Sequence, residues 1–464
     1  MNTPICDFVK AYDESRPLRL HMPGHKGVSR LGCEGLDITE IEGADVLYRS
    51  SGIIRESEEN AAALFGTART VYSTEGSSLC IRAMLYLAMQ HTGRRRILAG
   101  RNAHATFVTA AALLDAQVQW LLAAGGGLTA CPLTAEGLSA ALDTLPEKPA
   151  AVYVTSPDYL GNTLDIAALA RVCHDHDTLL LVDNAHGAYL RFLPADCHPI
   201  TLGADLCCDS AHKTLPVLTG GAYLHVAHRM AALWESAEHA MSLFASTSPS
   251  YLTLQSLDAT NAYLAGDYPA RLADACRRVA ALKEALVENG YPLAGQEPLK
   301  VTLAPKAYGY TGEDLAARLE QEGVVCEFAD PDYVVMMFTP ENGEEATECV
   351  RDVLCALPRR SPIGERAPQL TPPQRRITLR QALFAAAETL PLADCVGRVL
   401  AAPTVSCPPA VPVLVGGEVV DESALEVFRY YGYTTLGVVK EYKRSRGVSL
   451  GFFFIFRALS GLCP

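Results

Sequence analysis

The chain has 464 residues, of which 49% are hydrophobic and 20% are charged, as in an ordinary globular enzyme of two or three domains. Acidic residues outnumber basic ones by 52 to 39, so the formal net charge is -13. This acidic balance argues against a nucleic acid or an anionic membrane surface as the main partner.

The 15 cysteines include the adjacent pair Cys207 and Cys208, but no CxxC pair and no metal-ligand spacing. We therefore predict no metal site. The first residues, Met1–Arg19, lack the apolar region of a signal peptide, and no apolar run is long enough to span a bilayer. The nearest candidate, Val448–Leu459, is too short and contains Arg457. We expect reduced thiols in a cytoplasmic protein that makes no membrane contact.

From about residue 55 to 240, short apolar runs alternate with helix-like segments. The predicted strands include Arg96–Ala99, Ala151–Thr155, Thr178–Asp183 and Ala204–Cys208, and Ile166–His176 is a typical intervening helix. This alternation predicts an α/β fold with a mostly parallel sheet and helices on both faces. Ligands of such sheets bind at the carboxyl ends of the strands.

A second unit follows the helix predicted for Ala270–Asn289, which Gly290 ends. It has the order β-α-β-β-α. Its predicted elements are the strand Lys300–Ala304, a helix from a capping box at Thr311–Asp314 through Glu322, the strands Val324–Phe328 and Tyr333–Phe338, and the helix Glu344–Leu357. Residues 358–375 are rich in proline and arginine and indicate a linker, Leu379–Ala402 is predicted helical, and Pro408–Val415 extended.

An apolar strand runs directly into Asp183, the first residue of the run Asp183-Asn184-Ala185-His186. A carboxylate at such a place costs desolvation energy unless it meets a cation or a hydrogen-bond donor. A protonated pyridine nitrogen is one such partner. A helix N-cap or a structural ion pair is an equally good interpretation of Asp183 alone.

Lys213 lies just past another predicted strand end and is flanked by Ser210, His212 and Thr214. This setting suits a lysine that forms a Schiff base beside a phosphate, because hydroxyl and imidazole groups donate to phosphate oxygens. A solvated loop lysine is the ordinary alternative. One helix-sized connection separates Lys213 from Asp183, so consecutive strand ends would direct both side chains into one crevice.

Gly76, Ser77 and Ser78 precede a predicted helix, Leu79–Met89, whose first N–H groups could bind an anion. Simple N-capping by serine is the alternative. His104 follows the strand Arg96–Ala99, where its ring could stack on a flat cofactor or could be merely structural.

Four segments resemble one family, namely His21–Gly27, Asp37–Ile41, Ser210–Pro216 and Thr247–Tyr251. Together they make the chain, over about residues 18–438, similar to the bacterial ornithine/lysine/arginine decarboxylases. These enzymes have the pyridoxal 5′-phosphate (PLP) fold type I, and the resemblance is to the short form without an N-terminal wing domain. It implies that the protein decarboxylates arginine, lysine or ornithine to agmatine, cadaverine or putrescine.

The resemblance also implies the site. Lys213 would bind the PLP aldehyde as a Schiff base, Asp183 would pair with the pyridine nitrogen, and His104 would stack on the ring. The catalytic residues would be Lys213, Asp183, His104 and His212. The remaining cofactor contacts would come from Gly76, Ser77, Ser78, Ser210, His212 and His186, together with Thr247 and Ser248, which a partner subunit would contribute in a homodimer or a larger homo-oligomer with shared active sites.

Several positions depart from the family pattern. His104-Ala-Thr106 replaces His-Lys-Ser, Asp183-Asn-Ala-His186 replaces Asp-Glu-Ala-His, Asp45-Val-Leu-Tyr48 replaces Asp-Asp-Leu-His, and Cys407-Pro-Pro-Ala410 replaces Tyr-Pro-Pro-Gly. These departures keep two alternatives open. One is a PLP-dependent aminotransferase or lyase acting on another amino acid, and the other is a non-catalytic homologue that regulates an active relative.

The predicted division of the chain has four parts. Residues 1–295 form an N-terminal segment and the PLP-binding large domain, 296–358 a small α+β domain, 359–375 a linker, and 376–464 a C-terminal domain of decarboxylase type. From about residue 439 this last part has an atypical tail with an apolar run, Phe452–Phe456.

Overall fold

A computed structural model describes residues 1–121, 131–401 and 412–441 of the chain. The strands of these residues, numbered in chain order, are β1 Arg69–Ser73, β2 Arg96–Gly100, β3 Gln117–Leu121, β4 Ala151–Thr155, β5 Leu179–Asp183, β6 Leu206–Asp209, β7 Ala222–Val226, β8 Leu293–Ala294, β9 Lys300–Leu303, β10 Phe328–Ala329, β11 Val334–Met337, β12 Ala387–Pro391 and β13 Thr435–Val439.

The α-helices of the same residues are α1 Pro4–Glu14, α2 Ile53–Phe65, α3 Ser77–Thr92, α4 Ala105–Leu113, α5 Ala135–Asp143, α6 Ile166–Asp175, α7 Ala211–Thr214, α8 Trp234–Ser242, α9 Tyr251–Leu264, α10 Tyr268–Asn289, α11 Gly312–Gln321, α12 Glu344–Ala356, α13 Leu379–Phe384 and α14 Glu422–Tyr430. Within the described ranges, no helix has both the length and the apolar character needed to cross a bilayer.

The first seven strands form one sheet in the order β1-β7-β6-β5-β4-β2-β3. Strand β7 is antiparallel to both of its neighbours, whereas β6, β5, β4, β2 and β3 are paired in parallel. The carboxyl ends of the parallel strands therefore lie along one edge, beside the start of β7. This mostly parallel α/β sheet confirms the predicted fold class.

Alternate residues of the central strands pack into two separate cores, one on each face of the sheet. Leu180 and Val182 belong to the core that α5 and α6 cover, whereas Leu179 and Leu181 belong to the larger core on the α3 side. A strand buried on both faces needs a continuous apolar run rather than an alternating one. The continuous apolar run of β5 is the reason that the sequence predicted this strand.

Strands β8 to β11 form a second, antiparallel sheet in the order β10-β11-β9-β8. The predicted capping box is present, because Thr311 and Asp314 each accept a hydrogen bond from the other's backbone N–H at the start of α11. The predicted strand Val324–Phe328 is wrong over most of its length, because pairing with β11 begins only at Phe328. This sheet begins at Leu293, two residues before the proposed boundary, and the division into domains stays a prediction.

The helix predicted for Leu379–Ala402 is also wrong after its first turns. Helix α13 ends at Phe384, and β12 then pairs antiparallel with β13. Pro391 belongs to this strand, and a proline there is incompatible with a helix interior. The predicted extended segment Pro408–Val415 lies partly outside the described residues, and Cys407–Ala410 and nearly all of the tail lie wholly outside them.

Candidate active site

Asp183 ends β5 at the carboxyl edge of the large sheet and is only 2% exposed. Its carboxylate accepts hydrogen bonds from the Tyr153 hydroxyl at 2.9 Å, from the Ala185 backbone N–H at 3.2 Å and from the Cys208 thiol at 3.6 Å. In the described part of the chain, no lysine, arginine or histidine nitrogen lies within the 4.0 Å of an ion pair from this carboxylate. The buried acid is therefore solvated by neutral donors and can still pair with a cation.

Lys213 lies on α7, the single turn that follows β6, and its Nζ is 3.2 Å from Nε2 of His186. Burial lowers the pKa of Lys213, Asp183 opposes this, and the cation of Lys300 adds to the lowering. Burial also lowers the pKa of His186 well below its ordinary value, and Lys300 and Lys213 lower it further. His186 is therefore neutral, and its Nε2 can accept a hydrogen bond from the lysine.

The Gly76–Ser77 turn meets the Lys213 segment across β7. Gly76 has a φ of +72°, which favours glycine, and its N–H donates to the Gly220 carbonyl at 2.7 Å. Ser77 begins α3, and its Oγ accepts a hydrogen bond from Ser210 Oγ at 2.7 Å. The first N–H groups of a helix have no partner within the helix, so this turn can hold an anion.

His104 is the N-cap of α4 and is connected to this turn by hydroxyl groups. Its Nδ1 lies 3.1 Å from Thr106 Oγ1, which lies 3.0 Å from Ser78 Oγ. His104 is exposed by surface area, yet partial desolvation by the surrounding protein lowers its pKa, which Asp183 opposes and the cation of Lys213 assists. Thr106, one of the departures from the family pattern, thus forms part of the connection.

His212, Thr247 and Ser248 make contacts that do not by themselves assign them to the cofactor. Nδ1 of His212 is 3.0 Å from the Gly221 carbonyl, which fixes the ring against β7. Thr247 and Ser248 are exposed in the loop between α8 and α9, where the neighbouring Ser246 N–H donates to Glu75 of the same chain. Their contribution to a partner's site stays a prediction.

Two residues at the opening of the site were missed in the sequence. The Tyr159 ring packs edge-on against His186, with centroids 5.5 Å apart, and its hydroxyl donates to Glu327 Oε1 at 3.0 Å. Glu327 immediately precedes β10 of the second sheet, and its charge acts to raise the pKa of Lys213. Tyr159 lies shortly after the end of β4, as Asp183 lies at the end of β5, so the rule that ligands bind at the carboxyl ends of strands could have found it. Glu327 gave no such signal.

This set of donors and acceptors fits PLP. Asp183 is a buried carboxylate with neutral donors that can accept a protonated ring nitrogen, and the lowered pKa of Lys213 makes its amine available to an aldehyde. The serine hydroxyls and the free N–H groups at the start of α3 suit a phosphate. In addition, Nδ1 of His186 is buried without a partner among the described residues, so it is free to receive a polar group of a ligand.

Comparison with known proteins identifies the family. The pattern that defines the family "Orn/Lys/Arg decarboxylase, major domain" matches residues 3–303. The arginine decarboxylase of Halalkalibacterium halodurans is 28% identical, over 96% of this chain and 99% of the relative. That of Bacillus subtilis is 26% identical, over 90% of this chain and 91% of the relative.

Solved structures share the fold. A lysine decarboxylase of Francisella novicida superimposes with a TM-score of 0.76 at 16% identity, covering 94% of this chain and 81% of its own. Lysine decarboxylase A of Pseudomonas aeruginosa gives a TM-score of 0.77 at 16% identity, covering 94% and 80%. The fold is thus PLP fold type I.

The family match covers more than half of the chain and supports decarboxylation rather than the aminotransferase, other lyase or non-catalytic alternatives. The cofactor is PLP, and the substrate class is the basic amino acids. This chain belongs to the Orn/Lys/Arg decarboxylase family of PLP-dependent enzymes.

Proposed function

We propose that the protein decarboxylates arginine to agmatine, with Lys213 and Asp183 as the central catalytic residues. The observation that carries the reaction is the placement of a lysine of lowered pKa and a buried carboxylate on neighbouring strand ends of one sheet edge. The choice of arginine is supported by four relatives that match over at least 90% of this chain, because three of these four are arginine decarboxylases.

PLP, when bound, delocalises the electron pair that departing CO2 leaves behind. Asp183 favours this because its carboxylate stabilises a proton on the ring nitrogen. Lys213 would hold the cofactor aldehyde through its unprotonated amine, and its Nζ would hold or return a proton near the α carbon of the substrate. The neutral His186 accepts a hydrogen bond from this amine and so keeps it directed into the site.

The other predicted residues have binding roles in this proposal. His104 stacks on the ring, and the phosphate is held by Ser77, Ser78, Ser210 and His212, with Gly76 allowing close approach. Thr247 and Ser248 extend from a partner subunit in a homodimer with shared active sites. Ser246, in the same loop, donates to Glu75, the residue before Gly76 in its own chain. The proposal therefore requires the Gly76 turn of a partner subunit to lie near this loop as well.

Glu327 is the proposed partner for the substrate's guanidinium. It lies at the opening, its charge reaches Lys213, and Tyr159 holds one of its oxygens. A carboxylate can bind a guanidinium through two parallel hydrogen bonds, whereas an ammonium group offers only a point charge. A carboxylate held in a fixed orientation therefore favours arginine over lysine and ornithine.

A substrate panel tests this function. CO2 release from arginine, lysine and ornithine is compared for the parent, Glu327→Gln and the control Glu322→Gln, an exposed acid of the same unit. We expect arginine to have the highest kcat/KM, and Glu327→Gln to raise its KM by about tenfold or more with a smaller change in kcat. A parent that prefers lysine or ornithine would refute the choice of substrate. An unchanged KM in Glu327→Gln would refute the role of this carboxylate.

A further inference from the structure

A second buried carboxylate, Asp209, lies next to the cofactor site and is not used by the proposed chemistry. It ends β6 and is completely buried. Nε2 of His198 and Nε2 of His225 lie 3.0 and 3.2 Å from its Oδ2, and the Asn184 side-chain NH2 donates to its Oδ1 at 2.7 Å. We call these four residues the Asp209 network.

The hydrogen-bond partners show that Asp209 is an anion held by N–H donors. His198 Nδ1 accepts from the Ile200 backbone N–H at 3.3 Å, so its proton is on Nε2 and points at Asp209. Burial alone would raise the pKa of Asp209, but the adjacent His198 and His225 bring it below its ordinary value. Burial lowers the pKa of His225, which favours a neutral ring.

Two residues of this network, His198 and Asp209, form a set of metal-ligand types with the adjacent Cys207, because donor atoms of the three lie within 4.8 Å of one another. Burial raises the pKa of the Cys207 thiol well above its ordinary value, and the thiol lies 3.6 Å from Asp209 Oδ1 as a further donor. Since the donors around Asp209 already point at its oxygens, the arrangement is better explained as a hydrogen-bond network than as a metal site.

The network joins the two strand ends that carry the proposed catalytic residues. Asn184 directly follows Asp183, and Asp209 directly precedes Ser210, four positions before Lys213. The Asn184–Asp209 hydrogen bond therefore crosses from the end of β5 to the end of β6. These two ends must be held at a fixed separation if Asp183 and Lys213 are to bind the same cofactor.

We propose that Asp209 is a positioning residue for the cofactor site. It holds the β5 end against the β6 end through Asn184, and it supplies a buried negative charge at the strand end next to that of Asp183, which would favour protonation of the bound cofactor. This inference rests on the proposed roles of Asp183 and Lys213.

An exchange of the two side chains tests the proposal on the full-length, PLP-loaded protein. The variants are Asp209→Asn, Asn184→Asp and the double variant. In the double variant the amide oxygen at position 209 can still accept both imidazole N–H groups, and the amide NH2 can donate to the new carboxylate at position 184. The double variant thus keeps the three hydrogen bonds of the Asp209 network and moves the charge to position 184, while the Cys207 thiol loses its acceptor at 3.6 Å. The control is Asp143→Asn, which removes an exposed carboxylate that also lies 3.1 Å from a histidine nitrogen.

Two measurements go beyond overall stability, namely the midpoint pH of the cofactor's visible absorbance and the dissociation constant of PLP. We expect Asp209→Asn to lower the midpoint by roughly half a unit to one unit, because a nearby negative charge is lost. It should also weaken PLP binding by about tenfold, as expected for one lost charge-assisted hydrogen bond. The double variant should bind PLP within about threefold of the parent, with a midpoint at or above the parent's, since its charge lies next to Asp183.

The outcomes separate this inference from the function on which it rests. If borohydride does not trap PLP on Lys213 of the parent, the proposed function fails. If it does, and Asp209→Asn matches the parent in midpoint and affinity, the positioning role alone is wrong. A double variant that does not fold, or binds PLP no better than Asp209→Asn, also overturns it. The inference is supported if the double variant folds and binds PLP while Asp209→Asn binds PLP weakly. It is also supported if the double variant folds and binds PLP while Asp209→Asn does not fold at all.

Discussion

Two buried carboxylates near the same edge of the large sheet have opposite surroundings. Glu418, 3% exposed, forms two hydrogen bonds of 2.7 and 2.8 Å with the guanidinium of Arg101, just after β2, and accepts the Val415 N–H at 2.8 Å. Asp183 is equally buried, yet its partners are a tyrosine hydroxyl, a backbone N–H and the Cys208 thiol, all of them neutral donors.

The difference lies in the partner and not in the burial. The cation that neutralises Glu418 comes from the chain itself, so this ion pair joins the C-terminal part of the protein to the strand before His104. A buried acid with only neutral donors keeps its affinity for an external cation. Burial alone therefore does not distinguish a structural acid from a cofactor-binding one, and the identity of the partner does.

Lys213→Ala should have the largest effect, and this effect should be on activity and not on stability. Removal of the amine that binds the cofactor aldehyde should reduce CO2 release by roughly a thousandfold or more, with the visible absorbance of the cofactor lost. The unfolding midpoint without PLP should fall little, because burial already lowers the pKa of this lysine. Parental activity in this variant would contradict the distinction between a catalytic site at Asp183 and Lys213 and a structural ion pair at Arg101 and Glu418.

Arg101→Met should have the next largest effect, and this effect should be on the stability of the fold and not on PLP binding. It leaves Glu418 buried without its cation, at a cost of about 3 to 5 kcal/mol in the free energy of unfolding measured in urea. Adding Glu418→Gln should recover most of this loss, because the uncompensated charge is then gone. The exposed pair of Arg351 and Asp352 provides a control, since Arg351→Met should cost less than about 1 kcal/mol. If PLP binding at saturation were lost while the protein stayed folded, the pair would not be merely structural.

The smallest expected effect is at Asp330. This residue tests the same comparison because it is a buried acid with backbone donors and no assigned ligand. It is 2% exposed, its Oδ1 accepts the N–H groups of Asp332 and Tyr333, and burial raises its pKa to about 6. Between about pH 4 and pH 6 the folded state keeps a proton that the unfolded state releases, so stability falls as pH rises through this window.

Asp330→Asn should remove that pH dependence. The variant should be more stable than the parent at pH 8 by up to about 2 to 3 kcal/mol, and nearly equal to it at pH 4. Urea unfolding at the two pH values measures the difference. Equal stability at pH 8 would mean that the backbone donors alone suffice for a buried carboxylate, which would weaken the contrast drawn for Asp183.

The sequence predicted the large sheet well and the C-terminal region poorly. The strand Ala151–Thr155 was predicted with its observed bounds, because a strand buried on both faces needs an unbroken apolar run. The segment after Phe384 looked helical from its alanines and leucines, but its pairing with β13 overrides that local preference. Pro391 was the signal that should have prevented the error.

The candidate site was predictable as far as it follows from strand ends. Asp183 and Lys213 each stand just after an apolar strand, and the sheet brings them together. Glu327 and His198 could not be found in this way, because their positions depend on packing between distant segments. Tyr159 reaches Glu327 from the other sheet, and His198 reaches Asp209 from the connection that precedes β6.

The position of β7 between β1 and β6 sets the order in which the protein can assemble. Ser77 follows β1 and Ser210 follows β6, but β7 lies between these strands, and its approach from Gly220 supplies the carbonyl that receives the Gly76 N–H. Ser77 and Ser210 thus become neighbours only after the chain has been synthesised to residue 226 and β7 has been inserted between β1 and β6. Such a non-local contact forms late in folding. Capture of the cofactor therefore requires β7 to be in place between β1 and β6, and the appearance of its absorbance during refolding would be a kinetic marker for that step.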